Sequence, residues 1–160
     1  MSSISFEMAS KRLEKYLEKV EQRKIKKIQR KLHKNFSRGT VEDLVQRRPV
    51  FSLVGVRGRV GKTYTDRKGL KIIPVISADG KRRVLAKLDS EDGKQLMEKL
   101  EKIDKSTQIE IYGLLIDDNG TLALSPSWAV EYLEDIVILK NEIFSLDYFL
   151  RMVRRRKAIS

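Results

Sequence analysis

The chain has 160 residues, enough for one domain with a core plus an appendage and too few for two full domains. Thirty-four Lys and Arg against 22 Asp and Glu leave a formal net charge of +12, with a pI near 9.9, which points to polyanionic partners. No cysteine is present, so disulfides and thiolate metal sites are excluded; without a signal-like apolar core or a bilayer-length apolar run, the sequence reads as an intracellular, soluble protein with no membrane partner.

From Ser10 to Asn35 there is neither Gly nor Pro, and Leu13, Leu17, Val20, Ile25, Ile28, Leu32 and Phe36 recur three to five residues apart. That period predicts a long amphipathic helix. Its second half, "RKIKKIQRKLHK", is strongly basic and suits a phosphate backbone or a coiled-coil contact. "SRGT" ends the helix, and Thr40 with Glu42 and Asp43 caps a short helix, "VEDLVQ", before a boundary at Pro49. Residues 1–48 thus form a basic helical extension.

From Val50 the pattern turns to short β-type runs. "VFSLVGVRGRVGKTYT", "LKIIPVIS" and "RRVLAKL" are separated by the turns "TDRKG" and "ADGK". "DSEDGKQLMEKLEKIDK" opens on a cap signal and places Leu96, Met97, Leu100 and Ile103 on one helical face. "TQIEIYGLLID" and "TLALSPSWAVEYL" then flank the hairpin signal "DNG". The order is β-β-β-α-β-β over residues 49–139. Residues 140–160 follow as a C-terminal helix with Ile143, Leu146, Phe149 and Leu150 at helical spacing and a basic tail at Arg154–Lys157.

Residues 51–65, "FSLVGVRGRVGKTYT", imitate a phosphate-binding loop. Such a loop needs G-x-x-x-x-G-K-[ST] with a helix starting at the lysine. Reading back from Gly61, Lys62 and Thr63, the first glycine falls on Val56, and "TYTDRKGLKIIPV" leads into a turn and a strand. Spacing and context both argue against a nucleotide hydrolase.

The order of elements, with the "VGVRGRV" and "IEIYGLL" runs as first and fourth strands, resembles the oligonucleotide/oligosaccharide-binding (OB) fold, a five-stranded β-barrel with its helix between strands three and four. The resemblance covers about Val50 to Leu139. Gly55, Gly58 or Gly61 would bend the first strand, and Gly113 the fourth. A helix after the last strand is similar to the middle subunit of replication protein A and related telomere-capping proteins, where it mediates subunit assembly. That resemblance implies a partner contact at Ile143, Leu146, Phe149 and Leu150.

If Val54, Val56 and Val60 fill the barrel, Arg57, Arg59 and Lys62 lie outside, joined by Arg83 and Lys87 from the third strand. Tyr64 and Arg67 lie in the first loop, and Trp128 follows Pro126 as a second stacking candidate. Phe51 reads as core or interface. His33 is the only histidine, and Asp117 and Asp118 sit in a hairpin where turn chemistry explains them, so no catalytic, metal or cofactor site is expected.

The expectation is a non-enzymatic protein that binds single-stranded nucleic acid, DNA favoured over RNA, as an accessory subunit in DNA replication or repair, with a protein partner on its terminal helices. An RNA-binding module associated with ribosome or tRNA is the first alternative. A protein-interaction subunit of a polymerase or other replication or transcription complex is the second.

Overall fold

The structure is a computed structural model that describes residues 3–88, 90–133 and 135–139. The chain divides into two compact units, Met1–Lys34 and Asn35–Ser160.

The first unit is a single helix, α1, which runs from Ser3 to Asn35. It starts earlier than the apolar period indicated. Met8, Leu13, Tyr16 and Leu17 are exposed on its first half.

In the second unit, the elements are β1 (Ser37–Thr40), α2 (Val41–Arg47), β2 (Leu53–Val60), β3 (Tyr64–Thr65), β4 (Lys71–Ile76) and β5 (Arg83–Leu88). They continue as α3 (Ser90–Leu100), β6 (Gln108–Asp118), β7 (Thr121–Tyr132) and β8 (Asp135–Ile138). Among the described residues this is a β-rich fold: one mixed sheet of eight strands with three helices. The expected β-β-β-α-β-β series corresponds to β2, β4, β5, α3, β6 and β7.

Strand pairing follows from alternation. Val54 and Val56 of β2, Ile73 and Val75 of β4, Val84 and Ala86 of β5, Ile109, Ile111 and Leu115 of β6 and Leu122, Leu124 and Val130 of β7 share one buried cluster. Val41 and Leu44 of α2 and Leu96 and Leu100 of α3 join it. β2 pairs with β4, β4 with β5, β5 with β7, β7 with β6, and β6 with β2 again, so the pairings form a closed circuit. Four of these pairings are antiparallel and β5–β7 is parallel.

β2 belongs to both sides of that circuit. It pairs with β6 from Leu53 to Arg59 and with β4 at Arg59 and Val60. Gly58 makes the switch sterically possible, because a Cβ there would lie 2.6 Å from the Ile76 carbonyl oxygen. In β6 the register shifts on either side of Gly113, where a Cβ would meet the Pro126 carbonyl oxygen at 2.6 Å. The glycines at these two places act by admitting neighbouring backbone.

Residues 37–47, which the sequence reading placed in the N-terminal extension, pack with the strands. "SRGT" is not a plain helix break: it forms β1, parallel to β2 over Ser37–Thr40. The Thr40 cap is as expected, with the Thr40 hydroxyl accepting from the Asp43 N–H and the Asp43 carboxylate accepting from the Thr40 N–H, both at 3.2 Å. The "DNG" hairpin also forms, with Asn119 and Gly120 at positive φ. Ser125–Pro126 is a cis peptide bond.

Candidate nucleic-acid interface

Directly opposed residues in antiparallel strands point to the same face. Arg59 pairs with Ile76 and Ile76 with Arg83, so Arg59 and Arg83 flank Ile76 in one row across β2, β4 and β5, on the side away from the buried cluster. Arg57 lies two residues back along β2 on that same face and is exposed. The sequence-derived grouping of Arg57, Arg59 and Arg83 is therefore a real juxtaposition, and exposed Lys62 follows directly after β2.

Two depressions border this row. One, of about 310 Å³, is lined by Arg57, Arg59, Thr40 and Gln108 among others. The second, of about 620 Å³, is lined by Arg59, Lys62 and Thr63 from the β2 side and by Leu100, Glu101, Ile103, Asp104 and Lys105 from the end of α3 and beyond. Both are lined in part by Arg59 and Ile76, so they lie side by side.

The turn between β4 and β5, which leads into Arg83, holds more exposed cations than the sequence reading assigned. Ser77 N–H donates to the Arg82 carbonyl, Ser77 Oγ donates to Asp79 Oδ1, and Gly80 at φ +74 closes the turn. Lys81, Arg82 and Arg83 are all exposed along it. The Arg59 guanidinium donates to the Ser77 and Ala78 carbonyls, each at 3.4 Å, and the Ala78 N–H donates to Glu42 at 2.8 Å. The turn is thus held to both β2 and α2. "DGKRR" carried the signal for Lys81 and Arg82; Lys105, at the larger depression, had none.

The remaining candidates separate. Tyr64 is 42% exposed and lies in a row with Ile72 and Lys87, two rows from Arg59. Arg67 is exposed in a tight turn in which Asp66 Oδ1 accepts from the Lys68 and Leu70 N–H groups. Lys87 is not an open cation: its side chain is only 18% exposed and it is ion-paired with Asp118, whose carboxyl it holds below the usual range. Trp128 is 8% exposed and buried in β7, so it offers no stacking surface. Phe51, read as core or interface, is 59% exposed at φ 61 and so is not core. Ile143, Leu146, Phe149 and Leu150 lie outside the described residues.

Asp117 and Asp118, considered as a metal pair, have other work. Asp117 accepts from Arg48 at 2.7 Å and from the Gly120 N–H at 2.7 Å, while Asp118 takes Lys87. Residues 61–63 connect one strand to another with no helix after Lys62, so the phosphate-loop geometry is absent there.

A buried polar network, which no single strand announces, lies on the outer face of β1, β2, β6 and β7. Arg38 donates through Nε and Nη2 to the two carboxylate oxygens of Glu110 at 3.0 and 2.9 Å. The Tyr112 hydroxyl lies 2.9 Å from both Glu110 and Glu131 and, with one proton, donates to one of them at a time. Burial, followed by the Glu110 charge, pushes the Tyr112 phenol far above its ordinary pKa. Phe36 packs edge-on against Tyr112 with ring centroids 5.4 Å apart.

No protein-family model matches the chain, and no curated protein sequence does. Among solved structures, it is similar to an OBody, NL8, bound to hen egg-white lysozyme, at 19% identity and TM-score 0.38, over 56% of this chain and 97% of that one. It is also similar to apo TiaS, tRNAIle2 agmatidine synthetase, at 20% identity and TM-score 0.38 over 58% of this chain. RecG bound to a three-way DNA junction aligns at 13% identity and TM-score 0.43 over 74% of this chain. The matches span 20% of the TiaS chain and 16% of the RecG chain. No helix among the described residues is long and apolar enough to cross a membrane.

Proposed function

We propose that the closed strand circuit is an OB-type barrel and that the protein binds single-stranded nucleic acid, without catalysis, on the outer face of β2, β4 and β5. The closed pairing and the position of α3 between β5 and β6 support the barrel. The observation that carries the function is the Arg59–Ile76–Arg83 row, with exposed Arg57 and Lys62 on the β2 side and exposed Lys81 and Arg82 in the turn before Arg83. DNA is the favoured polymer and an accessory role in replication or repair the favoured setting. A helix after the last strand would serve subunit assembly, as the replication protein A resemblance implies.

The test is fluorescence anisotropy of short single strands across salt. Each phosphate neutralised on a single strand contributes about −0.7 to the slope of log affinity against log salt. Six cations on this face would give a slope of about −4, and roughly a 300-fold loss of affinity between about 50 and 200 mM salt. The triple variant Arg57→Ala, Arg59→Ala, Arg83→Ala should halve the slope to about −2. Absent binding, or affinity indifferent to salt, overturns the reading. Competition with matched RNA oligomers decides the polymer, since contacts to the 2′-hydroxyl show as an RNA preference.

A further inference from the structure

We infer, building on that single-strand reading, that the larger depression seats one unstacked base and favours bases carrying an exocyclic amine. The cavity of about 620 Å³ has an aliphatic floor of Val60, Ile76, Leu100 and Ile103, all half-buried or buried. No aromatic side chain lines it, so a base seated there meets apolar surface without ring stacking.

The two walls differ in sign. Arg59 and Lys62 come from the β2 side, where a strand's phosphates would track. On the opposite wall stand exposed Glu101 and Asp104, just past the C-terminal end of α3, where the helix dipole adds partial negative charge. Asp104 accepts from the Ser106 N–H at 3.0 Å, a bond that keeps its carboxyl below the usual range and fixes it in place. Lys105 stands on that same side and leaves it one net negative charge.

A negative wall repels phosphate and accepts N–H donors, so the polymer enters with its backbone on the arginine side and a base edge toward Glu101. Cytosine carries at C4 an amine whose N–H a carboxylate accepts, whereas thymine and uracil carry at C4 a carbonyl oxygen, which the carboxylate repels, and their one donor, N3–H, is flanked by two carbonyls. Glu101 is thereby a specificity-determining residue for the bound strand.

Short oligo-dC and oligo-dT compare two pyrimidines of similar stacking. The full chain should bind oligo-dC about tenfold more tightly than oligo-dT. Glu101→Gln, an exposed and isosteric change, should bring that ratio close to one while leaving oligo-dT affinity unchanged or slightly tighter through the lost negative charge. Equal affinity of the native chain for both oligomers overturns the inference but leaves salt-dependent single-strand binding standing. A preference that survives Glu101→Gln overturns it also. Failure to bind either oligomer removes the single-strand reading and this one with it.

Discussion

Arg38→Met tests whether the outer-face network holds β1 to the sheet. The change keeps the aliphatic stem and deletes two hydrogen bonds to Glu110. Glu110 is then left as a buried carboxylate, its side chain 6% exposed, with the Tyr112 hydroxyl as its remaining contact in this network. Removing one partner of a buried ion pair costs about 3–5 kcal/mol, because the other charge stays desolvated. The Arg38 side chain is 36% exposed, so water reaches the pair and the expected loss is about 2 kcal/mol. At about 4 °C per kcal/mol this lowers Tm by roughly 8 °C. Urea denaturation followed by the single, buried tryptophan, Trp128, measures it directly. Adding Glu110→Gln removes the orphaned charge and should recover at least about 1 kcal/mol, a coupling that additive losses cannot produce. A single variant within about 0.5 kcal/mol of the native chain, or a double variant no more stable than the single, refutes the reasoning.

Gly58→Ala should destabilise the sheet by about 1–3 kcal/mol, because its Cβ would lie 2.6 Å from the Ile76 carbonyl and 2.9 Å from Val75 Cγ1. Faster amide exchange at Gly61, whose N–H donates to the Pro74 carbonyl at 2.7 Å, would locate the damage at the β2–β4 junction, and an unchanged denaturation midpoint would contradict it. Acid should loosen α2 and the turn it holds. Backbone N–H groups, its own and that of Ala78, depress the Glu42 carboxyl, and the Thr40 backbone N–H depresses that of Asp43. Groups with lowered folded pKa bind fewer protons when folded, so their stabilisation is present above the unfolded carboxylate range and is lost as pH falls below about 4.5. Glu42→Gln should therefore flatten the acid limb of a stability–pH profile; a limb identical to the native one counts against this role.

The five long strands and α3 were legible because each is a bounded apolar run or carries a period: β5 reads Arg83, Val84, Leu85, Ala86, Lys87, Leu88 and buries every second residue, while β4 is an apolar run between two turns. β1 and β3 have four and two residues, too few to show a period, and β1 owes its conformation to pairing with Val54–Arg57. The place of residues 37–47 in the sheet was illegible for the same reason, since what binds them there is tertiary.

Parity located the cations, and partners decided which of them are open to a ligand. Arg83 and Lys87 occupy equivalent outward positions on β5, yet Lys87 is neutralised by Asp118, thirty-one residues further along the chain, while Arg83 stays exposed beside Arg59. Trp128 likewise has a sequence context, a strand interrupted by proline, that fits a surface as well as a core, and burial alone separates the two. The stretch "GVRGRVGKT" joins both lessons. Its glycine at 58 answers to the Ile76 carbonyl on a neighbouring strand, and its Arg59 answers to the turn between β4 and β5. A basic surface of this kind is assembled by strand register, so the substitution that most disturbs it need not be a charge: Gly58→Ala, by displacing β4 from β2, should weaken single-strand binding while every cation remains.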